Sequence, residues 1–243
     1  MWVILLVNLK MKGIFLLMLL RKTNLKYYML KAVIILVLFL AISSQLYSQV
    51  SEVDSLKEQT SVVDEELLPA LYMDIFVHYV FDDSDSALKY ARQAKKYSNK
   101  FNNALQYMRS EYAIGFVFKE IALYDSAMIH YSNGLGRAED NLDVEDAIMM
   151  ETYNRLLNGL GQLLRDQGNY DSAIVYFLET LDYRLQSEVK LINGVRDSTK
   201  YYDDISIVET NLGLTFSKFG DYSESENFFK KAIDHKTRAN QSI

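Results

Sequence analysis

The sequence repeats one short pattern about four times, and this repetition constrains the fold more than any other feature. The tripeptide Asp-Ser-Ala begins at Asp85, Asp125 and Asp171, and a degenerate copy, Ser-Glu-Ser, begins at Ser223. Successive copies start 40, 46 and 52 residues apart. Repetition on this scale is typical of solenoids, in which each unit buries its apolar face only against its neighbours. We therefore expect an array of similar units stacked along one direction.

Within each unit, residues of a given kind fall at fixed distances from one anchor position. The anchors are Gly115, Gly161 and Gly213, with Ile75 in that place in the first unit. A bulky apolar residue follows each glycine by three positions and a tyrosine by nine. Apolar spacing of three and four residues predicts helices with one buried face, and small residues let two helices approach closely. The small residues twelve positions on are Ala127, Ala173 and Ser225, and the aromatic residues sixteen positions on are Tyr131, Phe177 and Phe229.

A glycine turn separates two helices inside the later units. Gly168 is followed by Asn169, and Gly220 is followed by Asp221. Glycine adopts the left-handed conformation that ends a helix at little cost, and asparagine or aspartate can cap the next helix. Each unit is therefore predicted to be a helical hairpin.

The later units are longer than the first, and their extra residues keep a helical pattern. The apolar stripe continues beyond Phe177 through Leu181 and Leu185 to a turn at Asn193-Gly194. A second stripe leads from Tyr201 towards Gly213, and Asp143 is predicted to open the helix that carries Gly161. We therefore expect elongated antiparallel hairpins in the second half of the chain.

This pattern resembles the tetratricopeptide repeat (TPR) from about Leu71 to Ile233, most closely in the last two units. The units here are longer than the family repeat of about 34 residues, and the frequent closing proline is absent, since Pro69 is the only proline. The resemblance implies an all-α protein, a right-handed α-solenoid of about four TPR-like helical hairpins with elongated later hairpins.

The resemblance also implies a binding surface, because the first helix of each TPR hairpin lines a concave groove that holds a peptide. The family's groove positions transfer to this sequence by their distance from the anchor glycine. Four of the residues found in this way are basic, which predicts charge-assisted recognition of a carboxylate. The alternative is that long basic side chains only cover a solvated helix face. The predicted groove residues are Arg109, Tyr112, Phe116, Lys119, Arg155, Asn158, Gln162 and Arg165.

No pattern in the sequence predicts catalysis or a cofactor. The chain has no cysteine, and His78, His130 and His235 lie in different units rather than at metal-ligand spacing. The Gly-Leu-Gly sequences at Gly134 and Gly159 lack the third glycine of a dinucleotide loop, so close helix packing explains them better. We expect a protein that is not an enzyme and binds no cofactor or metal.

The first 48 residues are predicted to be a leader. They carry six Lys or Arg and no acidic residue, and an 11-residue apolar core at 32–42 follows Lys31. This length fits a signal peptide over Met29–Ser48 better than a membrane span of about 20 residues. An uncleaved membrane anchor is the alternative. Residues 49–64 are predicted to be a linker and 65–243 the TPR-like helical repeat domain.

Without the leader the chain has 20 basic and 32 acidic residues, which disfavours nucleic acid as a partner. We expect a non-enzymatic interaction scaffold, exported to the periplasm or cell envelope or anchored in the inner membrane. Its partner would be a peptide or protein segment, with acidic segments preferred, and a sensory part of a regulatory system is one role of this kind. The alternative is a structural subunit of a cell-envelope assembly with no soluble ligand.

The C-terminal edge of the array is predicted to remain partly uncovered. The helix from about Tyr222 carries Phe228, Phe229 and Ile233, and no further hairpin is predicted to follow it. Phe229 should pack inward by its place in the repeat, whereas Phe228 and Ile233 should stay partly exposed. Exposed apolar patches tend to mark interfaces, so self-association or partner docking is predicted at this edge.

Overall fold

A computed structural model describes residues 52–143, 146–191 and 198–241, together with Ile34. The predicted leader, apart from Ile34, and the predicted turn at Asn193-Gly194 lie outside the described residues. The chain divides into two compact units, Met1–Ser55 and Leu56–Ile243. The second unit contains the helical repeats.

The described part of the second unit is helical throughout and contains no strand, which confirms the all-α class. A short 3-10 helix, Glu65–Leu67, precedes the long helices. Within the stretch predicted as a linker, residues 52–59 are also helical. The long helices are α1 (Leu68–Tyr79), α2 (Ser84–Lys100), α3 (Ala104–Glu120), α4 (Tyr124–Asn141), α5 (Ala147–Asp166), α6 (Tyr170–Leu191), α7 (Ser198–Phe219) and α8 (Tyr222–Gln241).

These helices form four hairpins that stack into a solenoid. Each helix packs against the next along the chain, and the first helices α1, α3, α5 and α7 also contact one another in succession. Among the described residues the second helices α2, α4, α6 and α8 make no such contacts with each other. The first helices therefore form a close inner layer and the second helices a spread outer layer. This difference makes the inner surface concave.

The turns inside the hairpins confirm the predicted capping. Gly168 and Gly220 have φ values of 82° and 98°, in the left-handed region that favours glycine. Asn169 Oδ1 accepts a hydrogen bond from the Ser172 amide at 3.4 Å, and Asp221 Oδ1 accepts one from the Glu224 amide at 3.0 Å.

The start of α5 differs from the prediction. The helix begins at Ala147, and its cap is Asp146, whose carboxylate accepts hydrogen bonds from the amides of Ile148 and Met149. Asp143 was predicted to open this helix but lies four residues before its first turn. A run of acidic residues offers several possible caps, and the sequence pattern does not distinguish them.

The core follows the predicted register. Ala127 and Ala173 are fully buried, as are the rings of Tyr131 and Phe177. Each of these rings lies directly against the anchor glycine sixteen positions earlier. Leu185, placed on the buried stripe by the sequence, is instead 42% exposed on α6.

The C-terminal edge matches the prediction only in part. Phe229 packs against Gly213 as expected, and Ile233 is 66% exposed as expected. The prediction for Phe228 was wrong, because its ring is buried and stacks on Phe216 with ring centroids 5.5 Å apart. Phe228 lies 15 residues after its anchor glycine, as His130 does in the second hairpin. His130 likewise stacks on the residue three positions after the anchor, Phe118, with ring centroids 5.4 Å apart.

Candidate peptide-binding groove

The predicted groove residues share one face of their helices. Measured from the anchor glycine at about 100° per residue, the four positions used on each helix span an arc of only about 80°. The glycine itself faces the second helix of its own hairpin, as Gly161 faces Phe177. Gly159, on the other side of α5, contacts Tyr131 of the preceding second helix. The groove residues lie between these two contacts, on the inner side of the solenoid.

On α3 the groove combines aromatic rings with two cations. The rings of Tyr112 and Phe116 have centroids 6.4 Å apart, and Lys119 Nζ lies 5.5 Å from the centre of the Phe116 ring. Lys119 also forms an ion pair with Glu120 at 2.6 Å. Arg109 is half-buried and has no ion pair within the described part of the chain.

On α5 the groove residues are held by polar contacts. Arg155 Nε donates to Glu151 Oε1 at 2.9 Å, and Arg165 donates to Asn211 Oδ1 of α7 at 3.0 Å. Asn211 in turn donates its Nδ2 to Asn158 Oδ1 at 3.1 Å. Asn158 and Arg165 therefore connect two neighbouring first helices, while Gln162 is half-buried nearby on the same face.

The inner faces of α3 and α5 adjoin at Tyr112. Burial raises the pKa of the Tyr112 hydroxyl, and the positive charge of Arg155, carried by the next first helix, opposes that rise. The groove residues of two hairpins therefore form one continuous surface.

Carboxylates balance most of the positive charge predicted for this surface. Lys119 pairs with Glu120, Arg155 with Glu151, and Arg165 lies 3.4 Å from Asp166. The surface therefore carries both signs of charge. Of the four predicted cations, Arg109 is the one that has no carboxylate partner in the described part of the chain.

A partly buried charge network fixes the α5 side of the groove. Burial alone would raise the pKa of Glu151, but hydrogen bonds and charge from Arg184 and Arg155 lower it. Arg184, on α6, contacts Glu151 and also donates to Asp204 of α7 at 3.1 Å. This network joins three helices, so Arg155 projects from a rigid base.

The inner face also carries exposed apolar side chains that the sequence pattern did not predict. Ile207 and Leu214 of α7 are 53% and 42% exposed. Ile207 lies six residues before the anchor Gly213 and Leu214 lies one residue after it. On α5, Arg155 and Gln162 occupy the same positions relative to Gly161. Phe81, 83% exposed, meets the edge of the Phe116 ring at 6.2 Å. Extending the same offsets to the fourth unit would have found the α7 pair.

Other candidate chemistry is structural or absent from the described part of the chain. His130 contacts the buried Glu111 at 2.5 Å, and His235 contacts the buried Glu209 at 2.8 Å. The described residues contain no cluster of metal ligands. They also include no helix that is long and apolar enough to span a membrane.

Two segments of the sequence match the tetratricopeptide repeat family, residues 155–186 and residues 210–234. They fall in the third and fourth hairpins, where the sequence pattern predicted the strongest resemblance. No curated protein matches the chain in sequence.

Solved structures resemble the fold at low sequence identity. BtubC (BKLC) from P. vanneervenii is 21% identical with a TM-score of 0.59, covering 73% of this chain and 66% of its own. Aspartyl phosphate phosphatase F from Bacillus subtilis is 16% identical with a TM-score of 0.59, covering 80% and 50%. A putative kinesin light chain with TPR-like repeats from Podosopora anserina is 11% identical with a TM-score of 0.55, covering 80% of this chain and 90% of its own. This chain thus spans less than two thirds of BtubC and half of phosphatase F.

Arrays of such repeats present extended concave surfaces for binding, and the repeat is generally non-catalytic. The four stacked hairpins, the anchor-glycine register and the two matched segments agree with one another. Together they show that this chain is built of tetratricopeptide-like helical hairpins, with the tetratricopeptide repeat family itself matched at residues 155–186 and 210–234.

Proposed function

We propose that the chain is a non-enzymatic scaffold that holds a peptide or protein segment on its inner face. The observation that carries this proposal is the inner face of α7, where Ile207 and Leu214 remain exposed in the register of the groove. Repeat packing does not require exposed aliphatic residues there, because α5 has Arg155 and Gln162 at the same offsets. Apolar residues exposed in a defined register favour a binding surface.

The bound segment should combine apolar side chains with a carboxylate. One apolar position faces Phe81 and Phe116, and another faces Ile207 and Leu214. Burying one such side chain contributes about 1.5–3 kcal/mol, whereas an exposed ion pair contributes about 0–1 kcal/mol. We therefore assign most of the affinity to the apolar contacts and the orientation of the segment to Arg109.

We further propose that the protein is exported or membrane-tethered and is the sensory part of a regulatory system. The support for location is the basic and apolar leader over the first 48 residues. The support for a sensory role is the resemblance to a repeat that binds segments of other proteins.

An array of 12-residue peptides of varied sequence, probed with the full chain, tests the groove. Leu214→Ser on the inner face should weaken binding of selected peptides by at least about fivefold, since it removes part of an apolar contact. Leu178→Ser is the matched control, because Leu178 is also 42% exposed but lies on α6 in the outer layer. Arg109→Glu should reduce selectively the capture of peptides that contain aspartate or glutamate.

Equal binding by the Leu178 and Leu214 variants would contradict a groove on this face. Recovery of one stoichiometric folded partner, with no peptide captured, would favour the structural-subunit alternative.

A further inference from the structure

The outer face of α2 carries a row of cations, which we call the outer stripe: Lys89, Arg92, Lys96 and Lys100. Their spacing of three, four and four residues places them on one side of the helix. All four are exposed, and Asp85 is the only acidic residue of α2. The chain as a whole has a net charge of −6, so this row opposes the overall charge.

Within the residues that the structure describes, most of the outer stripe lacks a carboxylate partner. Lys100 pairs with Glu65. Lys89, Arg92 and Lys96 have no ion pair in the described part of the chain. Each lies over an aromatic ring instead, at 5.4 Å from Tyr90, 5.9 Å from Phe118 and 5.4 Å from Tyr97 respectively.

The fold does not require these charges. The same register positions on α4 hold Ile129, Ser132 and Gly136, and those on α6 hold Val175, Leu178 and Asp182. The equivalent residues of α8 are Asn227, Lys230 and Asp234. Solenoid packing therefore accepts apolar, small or acidic residues at these sites, and the row of cations is particular to α2.

We propose that the outer stripe docks the chain on an anionic membrane surface. The stripe extends about 16 Å along a convex layer, at 1.5 Å per residue. A convex ridge has no walls to enclose a peptide, and fixed ion pairs on an exposed surface contribute little. A plane can meet all four cations at once, and mobile anionic lipids can gather at each of them. Partitioning should strengthen by about fivefold for each cation.

Docking through the outer stripe has a consequence for the inner face. The stripe belongs to the second-helix layer and the groove belongs to the first-helix layer, which face opposite directions. A chain lying on the membrane through α2 would present its concave side away from the lipid. The inference is independent of which segment, if any, the groove binds.

Co-sedimentation of the full chain with vesicles tests the charge requirement. The vesicles are phosphatidylcholine alone or an equimolar mixture with phosphatidylglycerol. The Arg92→Gln, Lys96→Gln variant should partition about 25-fold more weakly onto the anionic vesicles, and added salt should weaken the wild type. The matched control is Lys230→Gln, Lys231→Gln on α8, where two exposed lysines are neutralised and partitioning should not change.

Orientation is the second readout, and it separates the stripe from any membrane affinity of the leader. The chain has no cysteine, so an environment-sensitive dye can be attached at Ser132→Cys on the outer layer or at Gln162→Cys on the inner face. We expect anionic vesicles to shift the emission at Ser132 and leave Gln162 unchanged. Equal shifts at both positions, or equal partitioning of the two double variants, would overturn the proposal. The proposal would also be overturned if the Arg92→Gln, Lys96→Gln variant bound duplex DNA or polyglutamate more weakly than the wild type but partitioned equally onto anionic vesicles.

Discussion

Glycines on the first helices set how closely the two helices of a hairpin approach. A Cβ atom on Gly115, Gly161 or Gly213 would lie 2.8 Å from the aromatic ring sixteen positions on. Close-packed interiors have no room for such a contact without movement of the ring. The glycine and the aromatic residue are therefore one packing unit, in which each position restricts the other.

Gly161→Ala should destabilise the protein although alanine favours helices. The added methyl would meet the ring of the fully buried Phe177, and overpacking of this kind costs about 1–3 kcal/mol. Gly136→Ala is the control, because no atom of the described residues lies within 4 Å of its Cβ position and the substitution should gain about 1 kcal/mol of helix propensity. Urea unfolding of both variants measures the two free energies. A higher free energy of unfolding in both variants would show that the Phe177 ring can move aside to accommodate the added methyl group.

The sequence predicted these glycine contacts because a fixed distance between a glycine and an aromatic residue recurs three times. It also predicted close packing at Gly134 and Gly159, and both positions lie against side chains. The prediction of close packing was wrong for Gly136, whose Cβ position has no atom of the described residues within 4 Å, and the prediction of exposure was wrong for Phe228. Whether Gly136 is covered depends on the neighbouring hairpin, and spacing within one unit carries no information on this. Phe228 is covered by Phe216 of its own hairpin, as His130 is by Phe118, and that equivalence becomes visible only once the stacked pairs are known.

At the scale of the helices, two buried glutamates join neighbouring elements in the same way but with different partners. Glu111 and Glu209 each lie four residues before an anchor glycine, and each contacts a histidine of the following helix. Glu111 also meets Lys95 of α2 at 2.7 Å. Burial alone would raise the pKa of Glu111, but hydrogen bonds from His130, Lys95 and Tyr107 lower it. Burial raises the pKa of Glu209, and its bond to His235 only partly offsets this.

These opposite shifts predict opposite dependences of stability on pH. Glu111 has a lowered pKa, so its ionised form stabilises the fold above the ordinary value of 4.5, and this contribution is lost as the pH falls below it. Glu209 has a raised pKa, so its contribution is greatest at low pH and is lost as the pH rises above 4.5. Glu111→Gln should therefore lower the free energy of unfolding near neutral pH, and Glu209→Gln should raise it.

Thermal unfolding of both glutamine variants at about pH 7 and about pH 4 checks these signs. The difference between each variant and the wild type should shrink towards acid, where the glutamates of the wild type become protonated. A loss of stability in both variants at neutral pH would contradict the raised pKa of Glu209. It would mean that the contact with His235 stabilises the ionised form of Glu209 as strongly as three partners stabilise ionised Glu111.

The sequence predicted the helices and most of their caps, since glycine turns and Asn or Asp caps are local features. It could not predict that Ala122 takes the left-handed turn position, with φ of 58°, which glycine occupies at Gly168. The surrounding hairpin imposes that conformation against the local preference of alanine. The Glu–His pairs were also missed, because their members are 19 and 26 residues apart and follow no common spacing.

At the scale of the whole repeat domain, each surface has its own composition. The inner layer carries mixed charges with apolar residues at its ends, and the outer layer changes from basic on α2 to aliphatic on α6. The sequence predicted the array of helical hairpins, while the assignment of the groove residues to peptide binding stays a prediction. It did not predict the local charge balance, because the partners Glu120, Glu151 and Asp166 are recognised only once the helix faces are known.

At the C-terminal edge, Phe228 and Ile233 were both predicted to be partly exposed. Because Phe228 is buried, Ile233 is the residue of that pair left to mediate association there. In the second and third hairpins the equivalent residues, Leu135 and Leu181, are partly buried against the core. Ile233 is 66% exposed, and Lys236 nearby forms an ion pair with Asp203.

Association through this edge should therefore be weak, with one apolar contact inside a charged rim. Light scattering of the full chain should show an average mass that rises with concentration, and Ile233→Ser should abolish the rise without changing the unfolding temperature. Phe228→Ser cannot serve this purpose, because loss of a buried ring would unfold the hairpin before it reported on association. The matched control is Ile129→Ser, since Ile129 is 59% exposed on α4 in the outer layer. A mass that stays constant with concentration, or one that falls equally in both variants, would rule out self-association at Ile233.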